Sequence, residues 1–283
     1  MRPRRQGSAN RYGCGMNRID AAFVRLKEKK QKAFIPYIGA GVPGIQETVE
    51  LALLLESKGA DVLELGYPFS DPMADGLVNQ AAANRALEKG VDDEAYLGMV
   101  KAIRAKSQIP IVVFSYLNPI FRLGLDDFAR RAKEAGADGF LLVDMPVEES
   151  SEFQETCRKL DLRLIFLAAP TTTPARLQRL LKEASGFLYY ISRTGITGER
   201  DGFQADFEEK LTAVKAASKL PVVVGFGIST PEQVNAVCGL CDGAVVGSAL
   251  VRRTLENKPW PEMRTEIEVL AGRLIAPTKE VRA

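Results

Sequence analysis

Eight short apolar, β-rich runs recur along the chain, each followed by a loop and then by a segment with helical periodicity. They are AFIPYIG at 33–39, ADVLELG at 60–66, PIVVFSY at 110–116, DGFLLVD at 138–144, LRLIFLA at 162–168, GFLYYIS at 186–192, PVVVGFG at 221–227 and DGAVVGS at 242–248. Strand, helix, strand without a linker or a shift in composition calls for parallel strands joined by right-handed crossovers. Closing eight such units gives an α/β fold, the TIM (β/α)8 barrel. An open doubly wound sheet is the alternative. It does not usually need eight units, and the first βα turn, GAGVPG, is not followed by an acid at the spacing of a dinucleotide fingerprint.

Helices are expected at Gln46 to Ser57, Asp126 to Ala135, Glu148 to Lys159, Pro174 to Ala184, Phe207 to Ala217 and Pro231 to Val237. Thr173 before Pro174, and Ser229 with Glu232 three residues on, supply capping chemistry at two helix starts. Glycines in KGAD, AGAD and ASGF permit the left-handed conformation that stops a helix. Residues 17–31 read as an extra amphipathic helix over the closed end of the barrel. Residues 1–15 read as a disordered extension, with Met16 a plausible natural start, and residues 16–283 as a single catalytic barrel. A chain of 283 residues, 46% of them hydrophobic, is large enough for one such core.

Absences narrow the chemistry. The chain has no histidine, so imidazole bases, serine-type triads and imidazole-built zinc sites are excluded, and proton transfer falls to Asp, Glu, Tyr, Lys or Cys. Cys14, Cys157, Cys238 and Cys241 include one C-x-x-C pair, which without a second pair reads as idle thiols, and no metal is expected. Net charge is +2, and only the first five residues are Arg-rich, so nucleic acid is not an expected partner. No apolar run reaches the roughly 20 residues of a membrane span, residues 1–15 lack the apolar centre of a secretory signal, and the expected location is the cytoplasm.

Glu64 is out of place in an apolar run. Burying a carboxylate costs several kcal/mol unless it is paired or protonated. Side chains alternate along a strand, so Val62, Glu64 and Gly66 share one face and Leu63 and Leu65 the other. With the leucines toward the helices, Glu64 points into the barrel near the C-terminal mouth, where active sites of this fold lie and where desolvation raises a carboxyl's pKa. The alternative is a structural Glu neutralised by a lysine or arginine. The loop behind it, PFSDPMADG, carries Asp71 and Asp75, each most simply a solvated turn former, although a second carboxylate facing Glu64 would make an acid/base pair. Glycine turns follow the last three strands, at GITG (195–198), GFGIS (225–229) and GSA (247–249), where backbone amides can approach an anion. The substrate is therefore expected to carry a phosphate.

LELGYPFSDPMADG with NRAL soon after, DMPVEES at 144–150, YYISRTGITG at 189–198, GFGIST and VVGSALV stand in an order that closely resembles the tryptophan synthase alpha subunit, from about Met16 to about residue 273. The resemblance implies a lyase that splits indole-3-glycerol phosphate into indole and glyceraldehyde 3-phosphate by a retro-aldol reaction. It implies a pyridoxal-phosphate beta subunit as partner in an alpha2-beta2 tetramer, and no cofactor in this chain. By motif, Glu64 matches the family's proton-carrying glutamate, Asp75 the aspartate that accepts from the indole N–H, and Tyr189 the tyrosine that positions the glutamate. Gly198, Gly227, Gly247 and Ser248 match phosphate-binding positions, and Tyr37, Phe114, Tyr116 and Phe226 the indole pocket. Val42 stands where the family commonly has an aspartate, and Leu77 and Asn79 replace a usual proline and apolar residue. These departures are expected to leave the proton carriers untouched and to bear on loop order or on the beta-subunit interface. Two competing readings remain: a partner-activating subunit with negligible catalysis of its own, and a phosphosugar isomerase or epimerase on the same barrel.

Overall fold

The computed structural model describes residues 15–191, 201–225 and 227–280. Strands β1 (Ala33–Gly39), β2 (Leu63–Gly66), β3 (Ile111–Ser115), β4 (Gly139–Leu142), β5 (Arg163–Ala168), β6 (Leu188–Ile191), β7 (Val222–Gly225) and β8 (Gly243–Val246) close into a parallel barrel in sequence order. Around them lie α1 (Arg18–Glu28), α2 (Ile45–Lys58), α3 (Leu77–Glu88), α4 (Asp93–Arg104), α5 (Leu117–Leu123) and α6 (Leu125–Ala135). Beyond these follow α7 (Ser151–Lys159), α8 (Pro174–Glu183), α9 (Asp201–Ala217), α10 (Pro231–Leu240), α11 (Ser248–Thr254) and α12 (Trp260–Lys279). Residues 1–14, most of the expected N-terminal extension, lie outside the described residues.

Each apolar run contains its strand, yet seven of the eight ladders are shorter than the run, because residues leading into or out of a strand are just as apolar and extended. The period-2 alternation sorts side chains into two cores. Ile35, Val62, Val112, Leu141, Ile165, Val223 and Val245 fill the barrel, while Leu63 and Leu65 pack outward with the helices. Glu64 is on the inward face, level with Tyr37 on β1 and Val112 on β3.

The closed end shows a repeat of its own. A residue one to three positions ahead of every even strand accepts, through its side chain, the amide of the first or second residue of the preceding odd strand. Asp61 takes Phe34 N at 2.9 Å, Asp138 takes Ile111 N at 2.8 Å, Ser185 takes Leu164 N at 2.9 Å and Asp242 takes Val222 N at 3.0 Å. These clasps satisfy amides at the strand starts that lack a ladder partner. Asp138 is in turn paired at 2.8 Å with both Arg18 and Arg104. Helix α1 covers this end as expected: Ile19, Phe23 and Leu26 are buried with the interior cluster. Its cap Asn17 accepts Ile19 N at 2.9 Å and donates to the carbonyls of Asp138 (3.0 Å) and Asp161 (2.8 Å).

Thr173 caps α8, and Gly59 and Gly136 end α2 and α6 in the left-handed region, as read from the sequence. The cap of α10 is a correction. It is Thr230 with Gln233 rather than Ser229 with Glu232, because the helix starts at Pro231 and both halves of the capping box therefore fall one residue later. Helix α7 starts at Ser151, later than Glu148, since Glu149 N bonds Pro146 O at 3.1 Å in a turn that precedes it.

Candidate active site

A cavity of about 370 Å³ opens at the C-terminal mouth of the barrel. Glu64 from β2, Tyr189 from β6, Tyr37 from β1 and Phe114 from β3 line one part, Asp75 and Asn79 another, and Gly227, Gly247 and Ser248 the glycine-turn side. Glu64 is fully buried, and among the described residues neither carboxyl oxygen has a hydrogen-bond partner. No lysine or arginine among the described residues forms the ion pair of the structural alternative. Desolvation alone pushes the Glu64 pKa from its ordinary value up to about 8, so the carboxyl is largely protonated at neutral pH.

Asp75 has a different environment. Tyr116 donates its hydroxyl to Asp75 Oδ2 at 2.8 Å, and Asn79 Nδ2 donates to Oδ1 at 3.3 Å. The backbone is held as well: Gln80 Nε2 donates to the Asp75 carbonyl at 2.8 Å, and Ala74 N donates to the Tyr116 hydroxyl at 3.0 Å. Burial raises the Asp75 pKa, while the Tyr116 and Asn79 hydrogen bonds oppose that shift. One carboxyl without donors and one with two are thus set to titrate apart. Asp71 is exposed, receives the Ser70 hydroxyl and does not line the cavity.

The aromatic side chains depend on glycines that sequence reasoning did not single out. A Cβ on Gly66 would lie 2.3 Å from the Tyr37 hydroxyl, and one on Gly225 would lie 1.9 Å from the Tyr189 hydroxyl. Only glycine at the ends of β2 and β7 leaves room for these rings. Tyr37 and Phe114 meet edge to face with centroids 4.9 Å apart. Tyr116 lies behind Asp75 in a small adjoining space and stacks at 5.4 Å on Phe69. Gly198 and Phe226 lie outside the described residues.

On the glycine side, Gly227 has φ +78°, Gly247 caps α11 and Ser248 begins it. Arg252 also lines the cavity, one turn beyond Ser248 on the same face, and has no ion pair among the described residues. It was not anticipated; the i, i+4 spacing from Ser248 is the sequence signal that could have found it. Among the described residues no group of three or more His, Cys, Asp or Glu could hold a metal. Cys157, Cys238 and Cys241 are buried, and burial pushes Cys157 and Cys241 up to about 12.

The family profile described as Tryptophan synthase alpha chain matches residues 23–276. The chain belongs to the tryptophan synthase alpha chain family. The tryptophan synthase alpha chain of Opitutus terrae is 44% identical over 265 residues, covering 93% of this chain and 100% of that one. That of Carboxydothermus hydrogenoformans is 45% identical over 261 residues, covering 92% and 97%. The crystal structure of tryptophan synthase subunit alpha from Legionella pneumophila superposes with a TM-score of 0.84 at 39% identity, covering 94% of this chain and 98% of that one. As a member of that family, the protein is a carbon–carbon lyase of L-tryptophan biosynthesis, cleaving indole-3-glycerol phosphate to indole and glyceraldehyde 3-phosphate in a retro-aldol reaction.

The three departures from the tryptophan synthase alpha pattern fall in different places. Val42 is buried in the outer core, and Leu77 is 83% exposed. Asn79 turns into the cavity and bonds Asp75, which overturns the expectation that the departures leave the proton carriers untouched. The reason is helical geometry: the first turn of α3 follows Asp75 so closely that a residue four positions on faces back to it.

Proposed function

We propose that Glu64 carries the protons of the cleavage and that Asp75 holds the indole ring. The observation that carries this reading is the fully buried Glu64 carboxyl, with no partner among the described residues and a pKa of about 8, in a cavity that also contains Asp75, Gly227 and Gly247. Breaking the C3–C3′ bond requires a proton at C3 of indole and removal of the proton from the C3′ hydroxyl. A neutral Glu64 can donate the first, and the carboxylate so formed can accept the second. Asp75, with two donors favouring its anion, accepts from the indole N–H and stabilises the cationic indolenine. Tyr189 restrains Glu64 from β6. Tyr37, Phe114 and Phe226 bound the indole ring, Tyr116 acts on it through Asp75, and Gly198, Gly227, Gly247 and Ser248 take the phosphate, with Arg252 adding a positive charge.

Residues 16–283 act as one catalytic domain with no cofactor of its own; pyridoxal phosphate belongs to a beta subunit, with which the chain forms an alpha2-beta2 tetramer in the cytoplasm. Met73 (91% exposed), Leu77 (83%) and Phe121 (66%), on the segments after β2 and β3, support a partner at the barrel mouth. No helix among the described residues is long and apolar enough to cross a membrane.

Indole release from indole-3-glycerol phosphate, measured with and without a beta subunit, tests chemistry and partnership together. A Glu64→Gln variant as active as the parent would remove Glu64 as proton carrier. An alpha-chain rate unchanged by the beta subunit would count against the coupling.

A further inference from the structure

Asn79 occupies the third position of α3 and lines the same cavity as Glu64 and Asp75. Its Nδ2 donates to Asp75 Oδ1 at 3.3 Å, while its own Oδ1 is buried with no hydrogen-bond partner among the described residues. The amide orientation follows from chemistry: a carboxylate only accepts, so Nδ2 must face Asp75 and Oδ1 must face elsewhere. Burying an acceptor without a partner is unfavourable, and an apolar residue at this position would avoid it. The side chain therefore costs the free protein something that a ligand can return.

Asp75 shows what the contact achieves. Tyr116 grips Oδ2 from the end of β3, Asn79 grips Oδ1 from α3, and Gln80 fastens the carbonyl. Without Asn79 the carboxylate could turn about its terminal torsion with only one oxygen anchored.

Resting on the reading that Asp75 accepts from the indole N–H, we propose that Asn79 is a positioning residue for Asp75 and that its Oδ1 is a second acceptor in the indole subsite. The cavity thereby favours an indole ring that carries another hydrogen-bond donor, such as a ring hydroxyl. A site built to accept from such a donor discriminates against the analogue lacking it, because the buried oxygen is then left unpaired.

The test uses the full chain and reads kcat/KM against pH for indole-3-glycerol phosphate and for a ring-hydroxylated analogue, in the parent, Asn79→Leu and Asn79→Gln. Removing a donor that favours the Asp75 anion moves the acid limb to higher pH in Asn79→Leu, so the rate falls about tenfold on that limb and less on the plateau. Asn79→Gln, which keeps the amide, regains part of the loss. The preference for the hydroxylated substrate over the unsubstituted one drops about tenfold in Asn79→Leu. An acid limb that superimposes on the parent overturns the positioning role, and an unchanged preference overturns the second acceptor. Asp75→Asn separates this proposal from the reading beneath it. If that variant is fully active, the role of Asp75 itself is wrong; if it is inactive while Asn79→Leu matches the parent, only the role of Asn79 falls.

Discussion

The Tyr189 hydroxyl fills the space that a side chain on Gly225 would need, so that a Cβ added there would stand 1.9 Å from the oxygen. Two strands of the barrel are thus matched, a bare backbone on β7 and a large ring on β6. Gly225→Ala is expected to cost about 1–3 kcal/mol through overpacking and to displace Tyr189 from the cavity, lowering the indole-release rate. Adding Tyr189→Leu removes the hydroxyl and the ring carbons Cζ and Cε1, which would stand 2.4 and 2.9 Å from the added Cβ. Thermal unfolding of the two single variants and the double should therefore be non-additive, and strictly additive losses would show that the ring and the glycine are not coupled.

Glu64→Gln separates catalysis from stability. Loss of proton transfer should lower the cleavage rate by about 10²–10⁴. In the unfolded chain the group titrates near the ordinary value of 4.5, and in the folded protein near 8. Between these values the folded state binds the extra proton. The advantage of a neutral Glu64 is therefore fully present below pH 4.5 and is lost as pH rises through about 8. Gln stays neutral throughout, so the variant should gain on the parent by a few kcal/mol at alkaline pH and resemble it near pH 4. Unfolding midpoints at acid and alkaline pH check this; a variant no more stable at either would contradict the buried, ionisable carboxyl.

Tyr116→Phe removes the donor to Asp75 Oδ2 and the acceptor for Ala74 N, in a place where water is largely excluded. A loss of roughly 1–3 kcal/mol in stability is expected. Burial already raises the Asp75 pKa and the Tyr116 hydrogen bond restrains it, so the variant should raise it further. Sign follows directly: more Asp75 is protonated at a given acid pH, and the acid limb of kcat/KM moves upward. A pH–rate profile decides it.

Arg252→Met keeps most of the side-chain length but removes the charge from the glycine side of the cavity. If Arg252 pairs with the substrate phosphate, KM should rise about tenfold with kcat little changed, the pattern of a contact made equally in ground and transition states. Raising ionic strength should erode the parent's advantage. Equal KM values would leave the phosphate to the backbone amides.

Much of this arrangement was legible along the chain because its causes are local. The inward direction of Glu64 follows from period-2 alternation in ADVLELG, and burial among the barrel's side chains follows from the same pattern. Where reasoning slipped, it slipped by a residue or a turn: the α10 cap fell at Thr230, and Asn79 was expected to be irrelevant to Asp75 although helical periodicity brings it back. Arg252 is one of two adjacent arginines in VVGSALVRRT, and only its i, i+4 spacing from Ser248 tells which of the two faces the cavity.

Alternation, caps and turns depend on neighbours a few residues apart, so the amino-acid order alone specified eight strands, their inward faces and a carboxyl at the barrel mouth. Closing the ring brings together groups that no local rule relates. Tyr116 reaches Asp75 across 41 residues, and Tyr189 comes to lie over Gly225 on the neighbouring strand. The register of the closed barrel and the path of the loop behind β2 settled those distances, and with them that Glu64 has no partner among the described residues while Asp75 has two.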